Sequence, residues 1–208
     1  MYNELDIGKV LKDGWDSLLR DIVPLTISST IAMVLGVLTL GILMPALCGG
    51  VMKSIMLRVR EGRQPLIGDV FMAMDQWGTL LWAMIMVGCL VILGFCLCVI
   101  PGLILSVMYV YILPIILDQR KTAWESMQQS WELVKANNFW THCVCLLVLF
   151  VICGVVGMIP LAVLFTTPFW YACIVAMYGQ IMNRMQCSSR AAACAAAGQG
   201  PGEPPVIK

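Results

Sequence analysis

The chain has 208 residues, 60% of them apolar and 12% charged, with a net charge of +1. Soluble domains carry about 45–50% apolar and about 25% charged residues, so water is excluded as the main solvent. Near-neutrality also excludes a nucleic-acid partner, because phosphate binding needs a concentrated basic face.

The first 21 residues hold eight charges and no apolar run of the kind a cleavable signal peptide needs, so the first span is expected to direct insertion itself. Within them Ile7, Val10, Leu11, Trp15, Leu18 and Ile22 recur at helical spacing opposite Asp13, Asp16 and Arg20, predicting an amphipathic helix. Asp16 and Arg20 are spaced for an i,i+4 pair. Apolar stretches follow at 22–43, 46–57, 79–99, 102–117, 139–159 and 161–182. Crossing a bilayer takes about 20 apolar residues. Four stretches have that length. The second and fourth are shorter and would be completed by snorkelling of Lys53 and Arg58, by tilt or by thinned lipid, with a re-entrant hairpin over 42–57 as the alternative.

Read as three hairpins, these stretches put Pro45, Pro101 and Pro160 near charge-free tips. An aromatic residue precedes each proline at near-constant distance: Trp15, Phe71 and Trp131. The spacing predicts a threefold unit, at about 5–60, 64–118 and 122–182, each an interfacial amphipathic helix followed by a hairpin. The second stripe is Ile67, Val70, Phe71, Met74 and Trp77; the third is Trp124, Met127, Trp131 and Val134, opened by a capping box at Thr122 and Glu125. The expected fold is therefore all-α, a polytopic transmembrane bundle of six spans over residues 1–182. Basic residues cluster between the hairpins and in the tails, at Lys9, Lys12, Arg20, Arg58, Arg60, Arg63, Arg120, Lys121, Lys135, Arg184 and Arg190. By the positive-inside rule both termini are cytoplasmic. All copies would enter from the same side, unlike the inverted repeats of many secondary transporters. The Ala-, Gly- and Pro-rich tail, 183–208, is expected to be disordered.

Chemistry is sparse. Most of the ten cysteines fall in apolar stretches and read as small apolar filler, not as a disulfide scaffold. Cys96 with Cys98, and Cys143 with Cys145 beside the sole histidine, His142, invite a soft-metal reading. Residues i and i+2 on a helix point about 200° apart, so neither pair presents two thiols to one ion. No nucleophile, acid–base pair or metal triad stands out, so no catalytic, cofactor-binding or metal residue is assigned. Asp21 and Asp118 read as interfacial caps. Ser28, Ala32 and Gly36 form one small-residue stripe and Ala46, Gly50 and Ser54 another, both suited to close helix packing. Pro114 and Pro168 inside spans predict kinks, and Trp77, Trp82, Trp140 and Trp170 read as interfacial anchors.

The segments GRQPLIGDVF, CVIPGLILSVMYVYILPIILDQR and AWESMQQSWELVKANNFW resemble bacterial multi-pass families grouped with the membrane domain of glycerophosphoryl diester phosphodiesterases. The resemblance covers about residues 5–182 and is carried most by Ile100-Pro101-Gly102, the polar stop at Asp118, and Ser130-Trp131. It implies a six-helix module of the bacterial plasma membrane, without the catalytic domain that some relatives carry. The function expected is a non-catalytic module interacting with membrane lipids, with further copies of itself, or with a partner membrane protein. The alternative is a carrier or flippase for a lipid or other apolar molecule.

Overall fold

The computed structural model describes residues 6–158 and 163–196, and every regular element among them is helical. α1 spans Ile7–Arg20, capped by Asp6, whose carboxylate accepts the Lys9 amide N–H at 3.1 Å. Val10, Gly14 and Leu18 are buried on one face. The chain then bends by 93° at Asp21 into α2, Ile22–Leu38. A short tip follows in which Leu40 and Gly41 both have positive φ. α3, Met44–Glu61, returns the chain.

Pro45 lies just inside the first turn of α3, where a missing N–H costs nothing and the fixed φ suits a helix start. Pro101 likewise sits in the first turn of a returning helix. The expected tip prolines are therefore helix starters, beside the turns themselves. Pro160 lies outside the described residues.

The second amphipathic stretch departs from expectation. Ile67–Phe71 and Met74–Gln76 form two short 3-10 turns, not an α-helix, and lead into α4, Trp77–Leu97. Gly68 in the first turn and a side-chain cap at Asp69, which accepts the Leu66 N–H at 2.9 Å, favour tight local bonding over a long helix. The fourth stretch is broken as well. α5, Val99–Met108, ends at Tyr109, and α6, Ile112–Gln119, begins after Tyr111. Pro114 explains the break, since its ring lacks an N–H and would meet the carbonyl of Val110 four residues earlier. Pro168 lies inside α9, which runs on through it.

α7, Ala123–Ala136, starts at the expected capping box, with Thr122 Oγ1 accepting the Glu125 N–H and Glu125 accepting the Thr122 N–H at 3.2 Å. α8 spans Phe139–Gly157, and α9 runs from Val163 to Ala196. Residues 183–196 are thus helical where tail composition predicted disorder. The alanines there are the best helix formers, and they extend a helix already nucleated within the bundle. Residues 197–208 lie outside the described part.

Among the described residues, three stretches are long and apolar enough to cross a membrane: Ile67–Leu97 with its 3-10 entry, Ile100–Gln119, and Phe139–Gly157. α1 and α2 make a fourth if the bent pair is taken as one. Against the six expected, α3 and the described part of α9 do not qualify. α3 carries Lys53, Arg58 and Arg60, and α9 carries Thr166, Thr167, Tyr178 and Gln180. The qualifying helices expose most of their apolar surface, including Trp82, Ile92 and Leu93 of α4 and Leu147, Phe150 and Val155 of α8. Apolar helices with so little protein cover point to a membrane protein. The protein's own core lies between α3, α6 and α9, around Leu47, Val51, Ile55, Ile115, Ile116, Cys173 and Met177.

Candidate functional site

The final turn of α3, the last turn of α6 and the middle of α9 meet at one end of the bundle, and there the polar groups gather. Arg60 of α3 places its two terminal guanidinium nitrogens on the two carboxylate oxygens of Asp118 in α6, one of them at 2.9 Å. The Tyr178 hydroxyl of α9 donates to Asp118 Oδ2 at 2.9 Å and accepts from Gln119 Nε2 at 3.2 Å. Asp118 therefore does more than cap a span. It joins all three central helices. Nearby, Arg58 Nε lies 2.7 Å from Asp21 Oδ2 at the α1–α2 bend. Arg63 pairs with Asp69 at 3.0 Å and Arg120 with Asp75 at 3.1 Å. These four pairs lie at the α1–α2 bend, at the ends of α3 and α6, and in the 3-10 segment between α3 and α4.

Two open grooves flank this cluster. One, of about 590 Å³, is lined by Met56, Arg60, Asp118, Tyr178 and Met182. The other, of about 430 Å³, lies between α1 and α9, with Lys9, Asp13, Asp16, Arg20, Arg58 and Gln180 on its walls. They share Val59, Val175, Gly179 and Asn183 as wall residues, so they adjoin. The expected Asp16–Arg20 pair is not formed, and both side chains line the second groove. Further along the same end, Glu125 lines a groove between α7 and α9. The Thr122 N–H that it accepts holds its carboxyl below the usual carboxylate range.

Toward the first tip, between α3, α4, α6 and α9, is an open apolar groove of about 620 Å³, lined by Pro45, Cys48, Met52, Leu113, Trp170 and Tyr171. Lys53, expected to snorkel to water, instead donates to the Met72 carbonyl at 3.3 Å, satisfying the end of the first 3-10 turn. His142 is buried. Its Nδ1 lies 3.2 Å from the Asn138 carbonyl and its ring meets Tyr111 edge to face, while its Nε2 and the Tyr111 hydroxyl have no partner. Among the described residues, no three His, Cys, Asp or Glu side chains converge as metal ligands do.

The three marker aromatics are not brought together. Trp15 is 52% exposed and meets Phe169 edge to face with ring centres 6.0 Å apart. Phe71 is exposed, and Trp131 lies near Tyr109. The residue before each aromatic, Gly14, Val70 and Ser130, is buried against another helix. A Cβ on Gly14 would meet Cys173 of α9; the Val70 carbonyl lies against Gly50 of α3; Ser130 donates to the Met108 carbonyl at 2.7 Å. Gly36 is buried against Met44 across the first tip. Of the polar cluster, Asp118 stood out in the sequence only as the end of a span. Tyr178 and Gln180 were overlooked, although two polar residues within the apolar run 161–182 are the available signal.

Comparison with known protein families, curated proteins and solved structures finds no match to this chain.

Proposed function

We propose that this chain is a non-catalytic integral membrane module that holds lipid at the polar end of its bundle. The observation that carries the reading is the adjoining pair of grooves formed by α1, α3, α6 and α9. Both have charged residues on their walls and are open at the end where the charges collect, and the apolar helices α4 and α8 of the same bundle are bare. An amphiphile needs such a junction of charged wall and apolar flank. The apolar groove around Cys48 and Tyr171 favours a second reading, a carrier or flippase for a lipid or other apolar molecule, in which that groove takes the apolar part.

Six spans arranged as three hairpins also belong to this proposal. Support comes from the order of elements, in which α1, the 3-10 turns and α7 each precede an outgoing and a returning segment. It comes as well from their docking: α1 packs on α9, the first 3-10 turn on α3, and α7 on α6. Each entry segment thus rests on the returning helix of the preceding unit, and the first rests on the last. The resemblance to the membrane domain of glycerophosphoryl diester phosphodiesterases rests on the quoted motifs, and with it the placement in a bacterial plasma membrane. The positive-inside rule orients the polar end and both termini toward the cytoplasm.

Native mass spectrometry after lipid-preserving extraction tests the lipid reading. A fixed number of lipids per subunit is expected. A bare oligomer would transfer the role to protein partners, and a retained soluble metabolite would favour the carrier. Topology has its own check. In a background without native cysteines, Pro101→Cys should react with an impermeant thiol reagent from the periplasmic side; reaction only from the cytoplasmic side would reverse the orientation.

A further inference from the structure

We infer that the hollow between Tyr109, Trp124 and Trp131 is a binding site for a trimethylammonium group, as carried by choline and its phospholipids. The hollow, of about 270 Å³, is lined by those three rings with Met127, Gln128 and Glu132. It shares no wall residue with the two grooves beside Asp118, so it goes beyond the lipid-holding reading and does not depend on them. Trp124 and Trp131 are seven residues apart on one face of α7, about 10.5 Å along its axis. A cation held midway has room to lie within ~6 Å of both rings, the range over which an aromatic face attracts it. The third ring comes from the break between α5 and α6, where Tyr109 meets Trp131 with ring centres 6.4 Å apart and planes inclined by 42°. Ser130 holds these two walls together. Its hydroxyl donates to the Met108 carbonyl at 2.7 Å, tying the residue before Trp131 to the residue before Tyr109.

Exposed tryptophans on an interfacial helix are ordinarily anchors at the headgroup level, and Trp82 of α4 reads as one. Two observations set the α7 pair apart. Their hollow is shared with a ring from a different element, fixed by a buried hydrogen bond. On its wall stands Glu132, which has no ion pair, although Lys135 follows it by one turn of α7. Ring faces and a carboxylate without a counter-ion together make a negative surface with few hydrogen-bonding groups. A trimethylammonium matches that chemistry: it carries a full positive charge but no N–H, so its methyl groups rest on the rings while the carboxylate supplies the opposite charge. A primary ammonium has three N–H groups that water satisfies better than ring faces do, so the hollow selects against it.

The test is native mass spectrometry of the full delipidated chain, titrated with dioleoyl phosphatidylcholine or dioleoyl phosphatidylethanolamine, whose headgroups differ only by the N-methyl groups. Phosphatidylcholine should form a one-to-one adduct at about tenfold lower concentration, as cation–ring contacts at a partly exposed site predict. Trp124→Leu, which alters an exposed ring, should cut that preference to about twofold, and so should Glu132→Gln as the independent second variant. An unchanged thermal midpoint confirms that each variant is folded. Choline chloride that binds as tightly as the lipid supports the site and makes its ligand a soluble choline compound, whereas choline weaker by about a hundredfold supports the site and assigns it to a lipid headgroup. Equal binding of the two lipids, or a preference that neither variant changes, overturns the inference and leaves the lipid-holding reading intact. No adduct with either lipid or with choline overturns both.

Discussion

Gly50→Ala should be among the most damaging single-methyl substitutions in this protein. A Cβ at Gly50 would fall on the carbonyl carbon and oxygen of Val70 and close to that of Asp69. Those are backbone atoms of the 3-10 turn, so no side-chain rotation relieves the overlap. The turn must lift off α3, and with it go the Lys53 bond to the Met72 carbonyl and the Arg63–Asp69 pair. Overpacking of this kind costs about 3 kcal/mol, at the upper end of its usual range because the neighbour is main chain. Gly88 on α4 is the control, since a Cβ there meets nothing. Gly88→Ala should be neutral or stabilising by up to about 1 kcal/mol, through helix propensity alone. Thermal unfolding of both variants in the same detergent decides the matter, and equal midpoints would show that the close approach of α3 to the turn is not what holds them together.

The second large effect is expected at Arg60. Arg60→Gln leaves the Asp118 carboxylate, 14% exposed, with the Tyr178 hydroxyl as its remaining direct partner among these groups. Removing one member of a well-buried ion pair costs roughly 3–5 kcal/mol. The Arg60 side chain is 48% exposed, so solvent screening brings the expected cost down to about 2 kcal/mol. Asp118→Asn should cost less, because an amide oxygen still accepts from Tyr178 and the charge left unpaired, on Arg60, is half exposed to solvent. The double variant should then be less destabilised than the sum of the two, with a coupling of about 1 kcal/mol between sites in direct contact. Strict additivity would mean that the pair does not couple α3 to α6.

How far the sequence could be read follows the range of the forces involved. Helical class, the capping box at Thr122, the end of a span near Asp118 and the apolar stretches were all legible, because each depends on residues within a turn or two of one another. The break at Tyr109–Tyr111 was half legible: Pro114 announced a distortion, and its place follows from the carbonyl four residues back. The 3-10 character of 67–76 was hidden, because the apolar periodicity there fits a helix while Gly68 and the Asp69 cap favour tighter bonding. The candidate site was the least legible part. Arg60, Asp118 and Tyr178 lie 58 and 60 residues apart, and nothing local in any of the three segments marks the others as partners.

Composition and periodicity by themselves determined the solvent of this protein, its helical class and the placing of its charges between apolar stretches. Those properties are sums over single residues and short spacings. Tertiary structure alone decided that α1 leaves its Asp16 and Arg20 unpaired along a groove, that Gly50 serves a 3-10 turn and not another apolar helix, and that three distant polar residues close one end of the bundle. Such outcomes depend on which backbones approach one another, and at long range apolar burial rewards many pairings almost equally, so the choice between them is made only when the helices pack.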